Sequence, residues 1–173
     1  MTDNQLTRPN SLPVQDYRIR IARDGTWYHD GQPIRRDALV RLFSTVLMRN
    51  GDGQYWLETP AERGVVVVED APFIVIAARQ LEHDSDTPML GLDTNLGHHI
   101  IVGGDYPIFT AVSPVTGEIT PYVQMDHGLT ARIGRAVYYQ LVEWGEVREV
   151  QGQRVLGLES DGRFFSLGPV DEH

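Results

Sequence analysis

The chain has 173 residues and a formal net charge of −9, from 24 acidic against 15 basic residues, and it contains no Cys. All its basic residues are Arg, so Lys is absent too. These two zeros exclude a thiol nucleophile, a disulfide, an iron–sulfur cluster, a Cys-type zinc site, a P-loop lysine, a carbonyl Schiff base and a pyridoxal anchor. Arg in place of Lys is what GC-rich coding gives, and the exclusions stand either way. A pI near 5.0 argues against nucleic acid as a partner, and the longest basic cluster is only Arg35-Arg36. With 41% hydrophobic and 23% charged residues, the chain has enough apolar content for a core. Its length suits one medium domain or two small ones.

Met1 to Pro13 is polar and broken by Pro9 and Pro13, and reads as a mobile arm, residues 1–13. It lacks the apolar stretch of a secretory leader, and no window approaches 18 consecutive apolar residues. The expectation is a cytoplasmic protein without a membrane span. Alternation at Tyr17, Ile19 and Ile21 predicts a strand, and Thr26 to His29 a second, with turns at Asp24-Gly25 and Asp30-Gly31. Apolar residues at Ile34, Ala38, Leu39, Leu42, Phe43 and Val46 predict a helix over Ile34–Met48. Strands are expected at Tyr55–Glu58, Val65–Val68 and Phe73–Ala78, the four consecutive Val suggesting cover on both faces.

The polar stretch Glu82 to Pro88 marks either a hairpin loop or a boundary. Taken as the boundary, it gives an N-terminal domain of residues 14–83 and a C-terminal one of 84–173. Short strands follow at Met89–Asp93, His98–Val102, Ile108–Val112 and Ile119–Met125. A second helix is expected from about Leu129 to Trp144, and a last hairpin at Arg154–Glu159 and Arg163–Leu167. Both halves run from an aromatic strand through a Gly turn into a helix and then to strands, which points to structural repetition. The fold class is α+β: two β-rich halves, mostly antiparallel, each packing one amphipathic helix.

No nucleophile elbow, zincin, phosphate-loop or dinucleotide motif is present. His98-His99 lies near Asp93 and Asp105, but neighbours on a strand face opposite ways, so neither a metal nor a cofactor is expected. The pair His29 and Asp30 has the chemistry of a general base, and equally that of a hairpin turn. Arg132 and Arg135 stand three apart on the expected second helix; with Tyr122, Tyr138 and Tyr139 they would form an anion-binding face, with Arg36 as a counterpart in the first half. Asp93 and Asn95 would form a polar binding loop. An aromatic surface around Trp27, Trp56 and Tyr139 would serve a homodimer, although core packing is the plainer reading of such residues.

Three stretches belong together: DGTWYHDGQPIRRDALVRLFSTVL, YWLETPAERGVVVVEDAPF and PYVQMDHGLTARIGRAVYYQLVEWG. With LDTN and GRFFSLG, they make the chain from Tyr17 to Gly168 resemble the bacterial family catalogued as domain of unknown function 1285. The resemblance implies an α+β protein of an N-terminal and a C-terminal domain, with a suggested role in signal transduction. It implies no catalytic residues. His98-His99 and His127-Gly128 depart from the family pattern, where small polar or acidic residues and an Arg-rich turn are usual. The expected function is therefore a non-enzymatic module that binds a small molecule or a protein. The alternative is an enzyme acting on a small anion through His and carboxylate chemistry.

Overall fold

Strand β1 (Val14–Ile21) buries Ile19 and Ile21, with Arg20 between them half-buried and Arg18 before them exposed, as its alternation requires. It pairs antiparallel with β2 (Trp27–His29), which pairs with β3 (Gln32–Pro33). Helix α1 follows (Asp37–Ser44), then a meander of β4 (Leu47–Arg49), β5 (Tyr55–Glu58) and β6 (Arg63–Val68). The first sheet runs β3-β2-β1-β6-β5-β4, with β1 and β6 its one parallel pair. The structure, a computed structural model, describes residues 13–81 and 86–170. Of the expected arm, residues 1–12 lie outside the described residues.

Strands β7 (Phe73–Leu81), β8 (Met89–Thr94) and β9 (His99–Ile101) form a second meander. A third consists of β10 (Ile108–Val112), β11 (Ile119–Gln124) and β12 (Thr130–Ile133). They join through a parallel β12·β7 pair into a sheet ordered β10-β11-β12-β7-β8-β9. Helix α2 (Arg135–Trp144) leads to a separate three-stranded sheet, β13 (Glu146–Val150), β14 (Gln153–Ser160) and β15 (Arg163–Pro169). The order of meander, helix, meander thus occurs twice, from β1 to β6 and from β10 to β15. One continuous cluster of buried side chains runs through both halves, with Ile21, Trp27, Phe73, Val75, Leu92 and Leu141 among its members.

Several expectations are corrected. The first helix stops at Ser44 rather than Met48. The Ser44 and Thr45 hydroxyls donate back to the Arg41 and Leu42 carbonyls, and the Thr45 and Val46 amides tighten onto Leu42 and Phe43. Such back-bonding competes with helix continuation, and Leu47–Arg49 pairs with β5 instead. The second helix begins at Arg135, because Thr130–Ile133 is held as a strand between β11 and β7. The strands on either side of the polar stretch, β7 and β8, pair antiparallel with each other, and residues 82–85 between them lie outside the described residues. The change of sheet falls ahead of this stretch, between Val68 and Phe73, which places β7 with the second sheet rather than in a first domain reaching residue 83. The four Val are covered on one face only: Val66 is buried and Val67 exposed. No helix among the described residues is long and apolar enough to cross a membrane.

Candidate functional site

Helix α1 buries only Val40 and Ser44. Between it and the first sheet lies a cavity of about 580 Å³. Its apolar wall is Ile19 of β1, Leu57 of β5, Leu39 and Phe43 of α1, and Ile34 and Val46 flanking the helix. Phe43 is fixed from behind by Trp27, whose ring stacks on it at 6.4 Å. Tyr17 of β1 also lines it, and the other polar groups come from two segments. The run from β2 into α1 brings His29, Gln32, Arg35 and Arg36, and the β5–β6 turn brings Thr59 and Glu62. A site of this size, apolar with a few polar groups, is what small molecules occupy.

Of the expected site residues, His29 and Arg36 meet at this cavity. Asp30 does not line it. Asp30 sits in a left-handed turn at φ 49°, 3.5 Å from His29 Nε2 and 3.3 Å from Arg18, and both members of the His–Asp pair are more than half exposed. Exposed Arg18 shares the Asp30 carboxylate, so the pair is an open surface cluster and lacks the geometry of an activated base.

A second cleft, of about 320 Å³, runs between the halves and is lined by Ser44, Phe73, His98, Tyr106, Asp126 and His127. The Thr94 hydroxyl oxygen accepts the His98 backbone amide at 3.1 Å and lies 3.0 Å from His98 Nδ1. With the ring proton on Nε2, the hydroxyl donates to Nδ1; with it on Nδ1, the hydroxyl oxygen accepts it. Burial, with the Arg41 and His99 charges, holds His98 below the usual histidine range. His99, also at the cleft, bonds Asp93 at 2.6 Å. Asp93 also takes Arg79 at 3.0 Å, and the His99 bond leads the effects that pull its carboxyl below the ordinary range. Among the described residues no group of three or more His, Asp or Glu is placed to hold a metal.

The densest polar contact was not legible in the sequence. Asp70, its side chain only 2% exposed, accepts hydrogen bonds from Tyr122 at 2.6 Å and from Ser113 at 2.9 Å. Arg23 Nε lies 3.4 Å from the same carboxylate. Arg132 stands opposite Tyr122 in the β11–β12 register and donates to the Arg23 carbonyl at 3.0 Å. Burial first, then the Asp70 hydrogen bond and charge, push the Tyr122 phenol up to about 12. This knot joins Arg23 and Asp70 of the first half, which follow β1 and β6, to Ser113, Tyr122 and Arg132 of the second. Its guanidinium and phenol serve a carboxylate of the protein itself.

The expected anion face therefore does not form. Arg132 is on β12, Arg135 is the exposed first residue of α2, and Tyr139 is 61% exposed and tilted on Tyr138. The expected Asp93–Asn95 binding loop is also occupied. The Asn95 side chain accepts the Ile74 amide at 3.0 Å, and Asp93 is held by Arg79 and His99. Trp27 and Trp56 are buried, so they share no surface with Tyr139. Asp70, Ser113 and Arg23 escape sequence reading because they sit at strand ends and turns, with no periodic or motif spacing.

No curated protein matches the chain. Two solved structures do. A DUF1285 family protein from Silicibacter pomeroyi is 39% identical, over 92% of this chain and 84% of that one, with a TM-score of 0.80. A DUF1285 family protein from Shewanella baltica is 26% identical, over 72% of this chain and 90% of that one, with a TM-score of 0.56. Residues 8–71 match the family model "Domain of unknown function (DUF1285), N-terminal domain". Residues 72–167 match "Protein of unknown function (DUF1285), C-terminal domain". The family's own division at residues 71/72 coincides with the change of sheet, and with both its domains matched in order the chain belongs to the DUF1285 family.

Proposed function

We propose that this protein is a ligand-binding module rather than an enzyme, and that its ligand occupies the cavity beneath α1. The observation that carries this is the cavity's chemistry: an apolar wall of six side chains with a few polar groups, Tyr17 of β1 and those of two segments, at its edge. The charged groups on it are exposed Arg35, Arg36 and Glu62, and the neighbouring His29–Asp30 pair is open to water. That arrangement suits recognition better than proton transfer. A signalling role, which the family resemblance implies, finds support in the position of α1. The helix roofs the cavity, and its Arg41 donates to the Leu96 carbonyl of the other half at 3.0 Å. Occupancy that shifts α1 would move a contact between the halves.

A neutral fluorescent probe, N-phenyl-1-naphthylamine, tests the reading. The wild-type chain is expected to bind it with a blue-shifted, saturable signal. Leu39→Trp, which fills the cavity from α1, is expected to abolish that signal while the thermal midpoint holds or rises. Unchanged probe binding by Leu39→Trp would sink the proposal.

A further inference from the structure

Resting on the cavity reading, we infer that the ligand is an amphipathic monoanion: an alkyl chain that fills the cavity and ends in a carboxylate held by Arg35 and Arg36. The walls set the first half of this. Ile19, Leu39, Phe43, Val46 and Leu57 offer no hydrogen bond to a polar body, so the part of the ligand among them must be apolar.

The arginines set the second half. Five of the arginines among the described residues pair with an acid, and others are held by a ring or a carbonyl. Arg18, Arg20, Arg23, Arg79 and Arg148 each pair with a carboxylate. Arg49 and Arg63 lie over the rings of Tyr55 and Trp56. Arg35, Arg36, Arg135, Arg154 and Arg163 have no such partner among the described residues, and of these Arg35 and Arg36 line the cavity. Consecutive guanidiniums at an apolar opening match an anionic end group, which they can bind with paired N–H donors.

The other charged groups there agree. His29 is engaged by Asp30. Glu62 belongs to the β5–β6 turn and accepts Gln15 at 3.4 Å. Against two guanidiniums, that single carboxylate leaves the cavity a poor host for a cationic amphiphile.

The test is displacement of N-phenyl-1-naphthylamine at pH 7.5 and sub-micellar concentration. The competitors are hexanoate, octanoate, decanoate, decanol and decyltrimethylammonium. The proteins are wild type and the Arg35→Gln/Arg36→Gln double variant, whose changes are on exposed side chains. Affinity is expected to rise about fourfold per methylene along the carboxylates, as burial of each CH₂ requires. Decanoate is expected to bind about tenfold more tightly than decanol, the scale of one hydrogen bond to a charged group. The double variant is expected to lose that tenfold for decanoate, with decanol unchanged, and added salt to weaken decanoate alone. If decanol equals decanoate, if decyltrimethylammonium binds best, or if the double variant matches wild type, the anion assignment is overturned and the cavity reading survives. If the wild type fails to bind even the neutral probe, both are overturned.

Discussion

Helix α1 leaves Leu42 61% exposed and buries two residues, whereas α2 sinks Val137 and Leu141 to 4% and 0%. The two helices follow similar three-stranded meanders and lead into similar ones. They differ in what covers them. Helix α2 packs on β7 and also on β14 of the small third sheet, and no strand approaches α1 as closely. In the first half the equivalent meander, β4 to β6, is spent on completing the main sheet through the parallel β1·β6 pair. One arrangement gives a closed core and the other a roofed cavity. A repeated order of elements thus yields a packed half and an open half, according to where the last three strands pair.

The contrast can be broken first at the seam between the halves. Asp70→Ala strips Tyr122 and Ser113 of their acceptor and leaves Arg23 without its counter-charge. A loss of about 3–5 kcal/mol is expected in urea unfolding, as for other buried pairs broken on one side. A loss under about 1 kcal/mol would make the knot incidental. Next comes the packed half against the open one. Leu141→Ala should cost about 2–5 kcal/mol, because nothing can collapse into the space behind α2. Leu39→Ala, at a wall that already faces a cavity, should cost about 1 kcal/mol or less. Equal losses would erase the distinction between the halves.

Titration sharpens the comparison with smaller effects. The Tyr122 phenol keeps its proton to about pH 12 in the fold, against a usual value of 10.0. Its contribution is therefore full below about pH 10 and lost as pH rises toward 12. Tyr122→Phe should flatten that alkaline limb of the urea midpoint. His98 has the opposite sign. Its folded value is held below the usual 6.5, so its contribution is full above about pH 6.5 and falls away as pH drops through the folded value. His98→Asn should remove this weaker acid dependence, and an unchanged acid limb would show that His98 is not its source.

Strand existence was largely readable from the residues, because alternation survives wherever one face is buried. Ile19 and Ile21 in β1, and the hairpins turned at Asp30-Gly31 and Asp161-Gly162, are cases. Helix limits were not. Val46 and Leu47 continue the α1 periodicity in sequence, but hydroxyl back-bonding by Ser44 and Thr45 ends the helix before them. Leu129 to Ile133 suits a helix face as well as a strand, and only pairing with β7 decides it. Strand β13, five exposed residues of alternating charge and Val, carries almost no burial signal of its own. Of the cavity, His29 and Arg36 were visible as candidates, while its wall required knowing that α1 stands off the sheet. The Asp70 knot depends on contacts 43 and 52 residues apart in sequence, which no local pattern encodes.

Only the β1·β6 seam ties the β3-β2-β1 block of the first sheet to the β6-β5-β4 block. Its register joins Ile19 to Val66 and Ile21 to Val68, partners 47 residues apart, so a loop of that length must close before either block gains the other. Such long-range parallel closure is slow relative to hairpin formation. On the ribosome, that first sheet can close once Val68 has emerged. Asp70 follows at once, but its hydroxyl partners Ser113 and Tyr122 are not yet made. The acid at the seam then waits in water until β11 arrives, and assembly of the two halves acquires a direction: the open half forms first, and the packed half docks onto it.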